Sequence, residues 1–166
     1  MYDILQQMKK GLTQMNLWFD KAKAHAQAKR YDVNVLATMR LAPDQFPLTR
    51  QVQSACDSAK FAGSRPTGKE APRHEDTETT IEQLQARIAS TLEWLETITP
   101  EDYAGASERM ITTPRWGGKH MLGNEYFVAH ALPNYYFHLT HTYAILRHAG
   151  VDVGKLDYLG PLPLRD

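Results

Sequence analysis

The residues with the densest chemical potential lie near the C-terminus. His130, Asn134, His138 and His141 recur at spacings of four, four and three. On a helix turning ~100° per residue they fall within an arc of about 80°. Imidazoles on one helical face at such spacing can ligate a divalent metal, and a ring held by a neighbour can accept a proton. Tyr135, Tyr136, Phe137 and Tyr143 are interleaved with them. The plainer reading is therefore a core or boundary face on which each imidazole makes one hydrogen bond. Pro133 falls inside the set and removes a backbone donor, so a bend or break is expected there, with freed carbonyls as additional polar groups. Arg147 and His148 sit where a helix end favours positive charge, and His25, His74 and His120 read as surface or loop residues.

A base needs an orienting partner, and the expected one is Asp57 on a second helix. A carboxylate across a bundle from His138 would fix the ring and raise its basicity, and it could also ligate a metal. Gln53 and Tyr135 are the further residues expected around such a pocket. The acidic cluster at Glu75, Asp76 and Glu78 has a simpler use at the positive end of the helix that follows. Other catalytic signatures are absent: there is no Gly-x-Ser-x-Gly elbow, no phosphate-binding glycine loop and no Cys-x-x-Cys. Trp116-Gly117-Gly118 reads as a turn, and the lone Cys56, on an amphipathic stretch, as a buried structural thiol.

Four helices must position these groups. Ile4, Leu5, Met8, Leu12, Met15, Trp18, Phe19 and Ala22 predict an amphipathic helix over about 2–29. A second helix is expected over about 46–61, with Val52, Ala55, Cys56, Ala59 and Lys60 on one face. It is broken by Gly63-Ser64-Arg65-Pro66-Thr67-Gly68. Ile81, Leu84, Ile88, Leu92, Leu95 and Ile98 mark a third, opened by a Thr79-x-x-Glu82 capping box and closed before Pro100. Met110–Thr113 and Lys119–Leu122 could pair as a short β-hairpin. The fourth helix spans roughly 124–148 with Gly150 at its left-handed end. The tail from Val151 reads as an ordered surface strap. The expected fold is all-α, a four-helix bundle with long connections, formed by residues 1–166 as a single domain.

Composition bounds the function classes. Nineteen basic residues balance nineteen acidic ones with no basic run, so nucleic acid and anionic membranes are not expected partners. No run approaches the ~20 apolar residues of a membrane span and no signal-like leader is apparent, which predicts a soluble cytoplasmic protein. A chain of this length buries roughly two-thirds of its unfolded surface and needs no disulfide or structural metal.

The last helix also resembles a known family. Asn134-Tyr-Tyr-Phe-His138 followed by Leu146-Arg147-x-x-Gly150 is similar to the closing motif of the DinB/YfiT-like helical-bundle superfamily. Phe46-Pro47-Leu48-Thr49-Arg50-Gln51-Val52 and Glu75-Asp76-Thr77-Glu78 look like an uncharacterised branch of it, a domain of unknown function. The resemblance covers nearly the whole chain. It implies a four-helix bundle, often a homodimer, and a divalent metal such as zinc or nickel held by three histidines. Some members are metal-dependent thiol transferases. Anchored on Leu146-Arg147-x-x-Gly150, His138 falls on one ligand position, Asn134 falls where another histidine belongs, and the second helix offers Asp57 rather than a histidine. A rearranged set of His130, His138, His141 and Asp57 is the alternative. Two functions follow. One is an enzyme, metal-dependent or metal-free, acting on an unknown small molecule in a polar pocket around His138. The other is a non-catalytic binding or dimerisation module with a degenerate metal site.

Overall fold

The structure, a computed structural model, describes residues 1–165. Helix α1 (Tyr2–Lys29) buries Leu5, Met8, Leu12, Met15, Trp18, Phe19 and Ala22 of the stripe its spacing predicts, adds Ala26 to it, and leaves Ile4 half-buried. Helices α2 (Leu48–Thr67) and α3 (Ile81–Glu96) follow. The last long rod is continuous but not uniform: α4 (Gly123–Tyr126), a wide π turn over Phe127–Ala131, then α5 (Leu132–His148). Apolar side chains from α1, α2, α3 and α5 meet in one core, and α2 packs chiefly against α5. No helix among the described residues is long and apolar enough to cross a membrane.

Three boundaries differ from expectation, each for a local reason. Helix α2 does not stop at Phe61 but runs to Thr67 and ends on Gly68, whose φ of 78° is left-handed. Pro66 fits in its last turn because the Ala62 carbonyl it cannot reach accepts instead from Tyr103 Oη at 3.1 Å. Two more turns of helix therefore carry Arg65 onto the α2 surface. The box that opens α3 is Thr80 with Gln83, one residue later than Thr79 with Glu82: Thr80 Oγ1 accepts from Gln83 N at 3.2 Å and Gln83 Oε1 accepts from Thr80 N at 3.1 Å. Pro133 does not break the last helix, because the wide turn just before it moves aside the carbonyls its ring would strike.

The connections are ordered. Strands β1 (Met110–Thr112) and β2 (His120–Leu122) pair antiparallel, Ile111 opposite Met121, around a 3₁₀ turn at Pro114–Trp116. The C-terminal strap buries Val151 and Val153 and then forms a short helix, α6 (Lys155–Leu159). Tyr158 of α6 stacks on Trp18, whose indole donates to the Asp157 carbonyl at 3.1 Å. Tyr135 lies fully buried against α1, where it donates to the Met8 carbonyl at 2.6 Å. Gly11 makes room for it: a Cβ there would overlap the phenol oxygen and come within 3.0 Å of Leu139.

A buried ion cluster ties α2, α3 and the loop between them. The Arg87 side chain on α3 is 1% exposed. Its guanidinium reaches Asp57 at 2.9 Å, Asp76 at 2.7 Å and Glu78 at 3.1 Å. Lys60 contacts the same Asp57 oxygen at 2.9 Å. Burial alone would raise the Asp76 and Glu78 carboxyls. Hydrogen bonds from Arg50 and Arg87 to Asp76, and from the Glu78 backbone, Gln53 and Arg87 to Glu78, outweigh it and hold both below the usual range. Such depressed groups stabilise the fold above their unfolded values and lose that contribution as pH falls through the folded ones. Removing one member of a buried cluster strands the others, at about 3 kcal/mol where, as here, the partners keep some solvent. Arg87→Met is expected to lower the unfolding free energy measured in urea by that amount at neutral pH. The gap from wild type should shrink in acid, once the carboxylates are protonated.

Candidate functional site

Helices α2 and α5 run antiparallel, so that Ser58 meets Asn134, Gln51 meets His138 and Arg65 meets Tyr126. Between them lies a cavity of about 380 Å³, closed on one side by the hairpin turn at Thr113–Trp116 and at one end by Phe46. That volume is within the ordinary range of small-molecule pockets. Arg50, Ser54, Asp57, Ser58, Phe61 and Arg65 line it from α2, and Tyr126, His130, Ala131, Asn134 and His138 from the opposite rod. These α2 positions recur at three- and four-residue intervals, one helical face.

His138 is held by an amide. Gln51 donates its Nε2 to the Phe46 carbonyl at 3.2 Å, which turns its Oε1 toward the imidazole. His138 Nδ1 lies 2.8 Å from that oxygen, so Nδ1 carries the proton and Nε2 keeps a free lone pair. Phe46 stacks over the ring, with centroids 6.4 Å apart, and Phe137 meets it edge-on. The residue is 7% exposed. Burial pushes its pKa down to about 4, with the neighbouring charges of His141 and Arg50 adding to the shift. The imidazole is therefore neutral across the physiological range.

The other expected site residues separate. Asn134 lines the cavity and donates to Ser58 Oγ at 2.7 Å, which in turn donates to the Ser54 carbonyl. His130 lines the far end, stacked on Tyr126 and edge-on to Trp116. Its Nδ1 is buried with no partner, and burial followed by the charge of Arg65 lowers its pKa. Asp57 lies on the cavity wall, but its carboxylate serves Arg87 and Lys60 and does not orient His138. Gln53 is not on the wall: it donates to Glu78 at 2.8 Å and accepts from Arg50. Tyr135 is a core residue on the opposite side of α5, and His141 Nδ1 donates to the Phe137 carbonyl of its own helix at 2.7 Å. Cys56 is buried and its thiol is pushed up to about 12 by burial, so it is no nucleophile.

Sequence reasoning missed Gln51, Arg50 and Arg65 as site residues, together with the aromatic wall of Phe46, Phe61, Trp116 and Tyr126. Arg65 was hidden by ending α2 too early. Gln51 had a signal, a polar residue one turn before Ala55 on the small-residue side of α2.

Residues 1–159 match the family described as Domain of unknown function (DUF1993). A crystal structure of a DinB family member protein from Shewanella denitrificans, at 1.83 Å resolution, superimposes with a TM-score of 0.96 and 50% identity. The match covers 99% of this chain and 94% of that one. The chain belongs to the DUF1993 family of DinB proteins. No curated protein matches the sequence. A DinB-type centre of three imidazoles does not fit the donors in this DUF1993 chain. His138 is the one imidazole placed with a free nitrogen on the cavity wall and an orienting partner behind it. Among the described residues, no three histidine, cysteine or carboxylate side chains converge on a point that could hold a metal.

The depressed pKa of His138 makes a signed prediction. The folded protein holds fewer protons at this site than the unfolded chain between pH 6.5 and about 4. Stability is thus full above pH 6.5 and falls as pH drops through that window, by about 3 kcal/mol in all. Calorimetric melts of wild type and His138→Gln across the window should converge toward low pH. Histidine NMR should find His138 as the Nδ1–H tautomer throughout the neutral range.

Proposed function

We propose that the groove between α2 and α5 binds a small molecule without a metal, and that His138 Nε2 accepts a hydrogen bond or a proton from it. One observation carries this: a neutral imidazole, oriented from behind by Gln51, sits in the wall of a cavity large enough for a small ligand. The π turn at Phe127–Ala131 supports the same site, since such turns recur where a helix must re-aim side chains at a function. As a base, His138 is weak at neutral pH, because Brønsted behaviour favours a pKa near the working pH. It deprotonates only an acidic donor or one whose developing charge the ligand itself compensates. Its hydrogen-bond role has no such condition. A reducing, cytoplasmic setting suits the lone, buried Cys56.

Ligand-observed NMR with a fragment collection tests this reading. Fragments bearing an O–H or N–H donor should bind wild type and weaken at least tenfold in His138→Ala, an effect on the order of 1.4 kcal/mol or more. His138→Gln guards against a variant that merely misfolds, and should keep part of the binding. The proposal fails if folded His138→Ala binds every fragment as wild type does.

A further inference from the structure

The cavity wall carries an unbalanced charge. Three guanidiniums, Arg50, Arg65 and Arg115, face one carboxylate, Asp57. Asp57 is already matched by Arg87 and Lys60, neither of which lines the cavity. Arg50 is matched by Asp76. Arg65 and Arg115 have no carboxylate partner among the described residues. Arg65 is the more telling of the two, because it is half-buried and tightly set. Its guanidinium lies 4.2 Å over the Phe61 ring and 5.4 Å from the centroid of Tyr126, and it donates to Tyr126 Oη at 3.1 Å. Four of a guanidinium's five N–H donors remain, fixed in a fork that matches a carboxylate or phosphate. A half-buried guanidinium with free donors is a ready partner for an anion that enters the cavity.

The surroundings of Arg65 describe the rest of the ligand. Trp116, Tyr126 and His130 form a cluster of rings at this end of the cavity, within 6.2 Å of one another by centroid. The buried Nδ1 of His130 adds a polar atom without a partner. Fifteen residues of α2 separate Arg65 from Arg50, about 22 Å of helix, so the anion end and the His138 end are distinct parts of one groove.

Resting on the small-molecule reading above, we infer that the ligand is an aromatic or similarly planar oxyanion, a carboxylate or phosphate ester, whose charged group is taken by Arg65 with help from Arg115. Its planar body lies against the ring cluster of Trp116, Tyr126 and His130, and its far end reaches toward His138.

Calorimetric titration at low salt with phenyl phosphate, benzoate and benzyl alcohol tests this. Both anions should bind at least ten times more tightly than the neutral alcohol, and the order of phenyl phosphate and benzoate shows which oxyanion the fork prefers. Arg65→Gln should abolish the preference, so that this variant binds both anions no more tightly than it binds benzyl alcohol, and Arg65→Lys, which keeps the charge, should restore part of it. Unshifted thermal melts would show that both variants fold. Equal binding of all three probes, or an anion preference that survives in Arg65→Gln, overturns the inference and leaves the small-molecule reading standing. If wild type binds none of the three, while fragments still bind in a His138-dependent way, the inference alone falls. If nothing binds in either experiment, both fall.

Discussion

A guanidinium removed from water must be matched by anions, and Arg87 is matched by three. Much of the site follows from that demand. Asp76 and Glu78 are drawn in from the loop before α3, and each then holds a second group: Asp76 takes Arg50, and Glu78 takes Gln53. Asp57 is drawn toward the core side of α2. The carboxylate most suited to serve His138 is therefore committed elsewhere, and an uncharged amide, Gln51, takes the position behind the imidazole. A carboxylate there would have raised the basicity of the ring. An amide orients it without adding charge, so nothing opposes the lowering by burial and by the charges of His141 and Arg50. The chemistry of the groove is thus decided partly by an ion cluster whose central residue, Arg87, does not line it.

The opposite wall depends on contacts that fix α5 against the rest of the bundle. Tyr135 enters the core where Gly11 leaves space and anchors α5 to α1. With that face committed, Asn134 and His138 turn toward α2, and the Asn134–Ser58–Ser54 chain sets the distance between the two helices midway along the groove. At the far end the hairpin turn brings Trp116 over the cavity, so a connection that is irregular in sequence becomes a wall of the site.

The bundle was legible because amphipathic spacing is local: the apolar stripes of α1 and α3 needed no tertiary knowledge. Helical phase likewise put His130, Asn134 and His138 on one face, and the three share the cavity wall. Helical phase alone also admitted His141 and could not see that its nitrogen would turn back to its own backbone. The extent of α2 was illegible for a tertiary reason. Pro66 is tolerable only because Tyr103, more than thirty residues away, satisfies the carbonyl it abandons. The roles of Asp57 and Gln51 were illegible for the same kind of reason, because which acceptor serves His138 is settled by Arg87 on a third helix. Charge balance within a pocket is a property of neighbours in space, and the even count of acidic and basic residues in the whole sequence gave no hint of it.

The wide turn at Phe127–Ala131 fits one more residue into a turn than an α-helix would. It therefore acts as a phase shifter between two registers of side chains: Tyr126 upstream belongs to the Arg65 end, Asn134 and His138 downstream to the Gln51 end. Closing this segment into regular helix without removing a residue would rotate one register by ~100° relative to the other, whereas removing one residue as it closes would keep them in phase. In the first case either Tyr126 or His138 would leave the groove. The width of this turn and its residue count are consequently tied together: a related chain one residue shorter here keeps both ends of the groove only where the segment is regular helix.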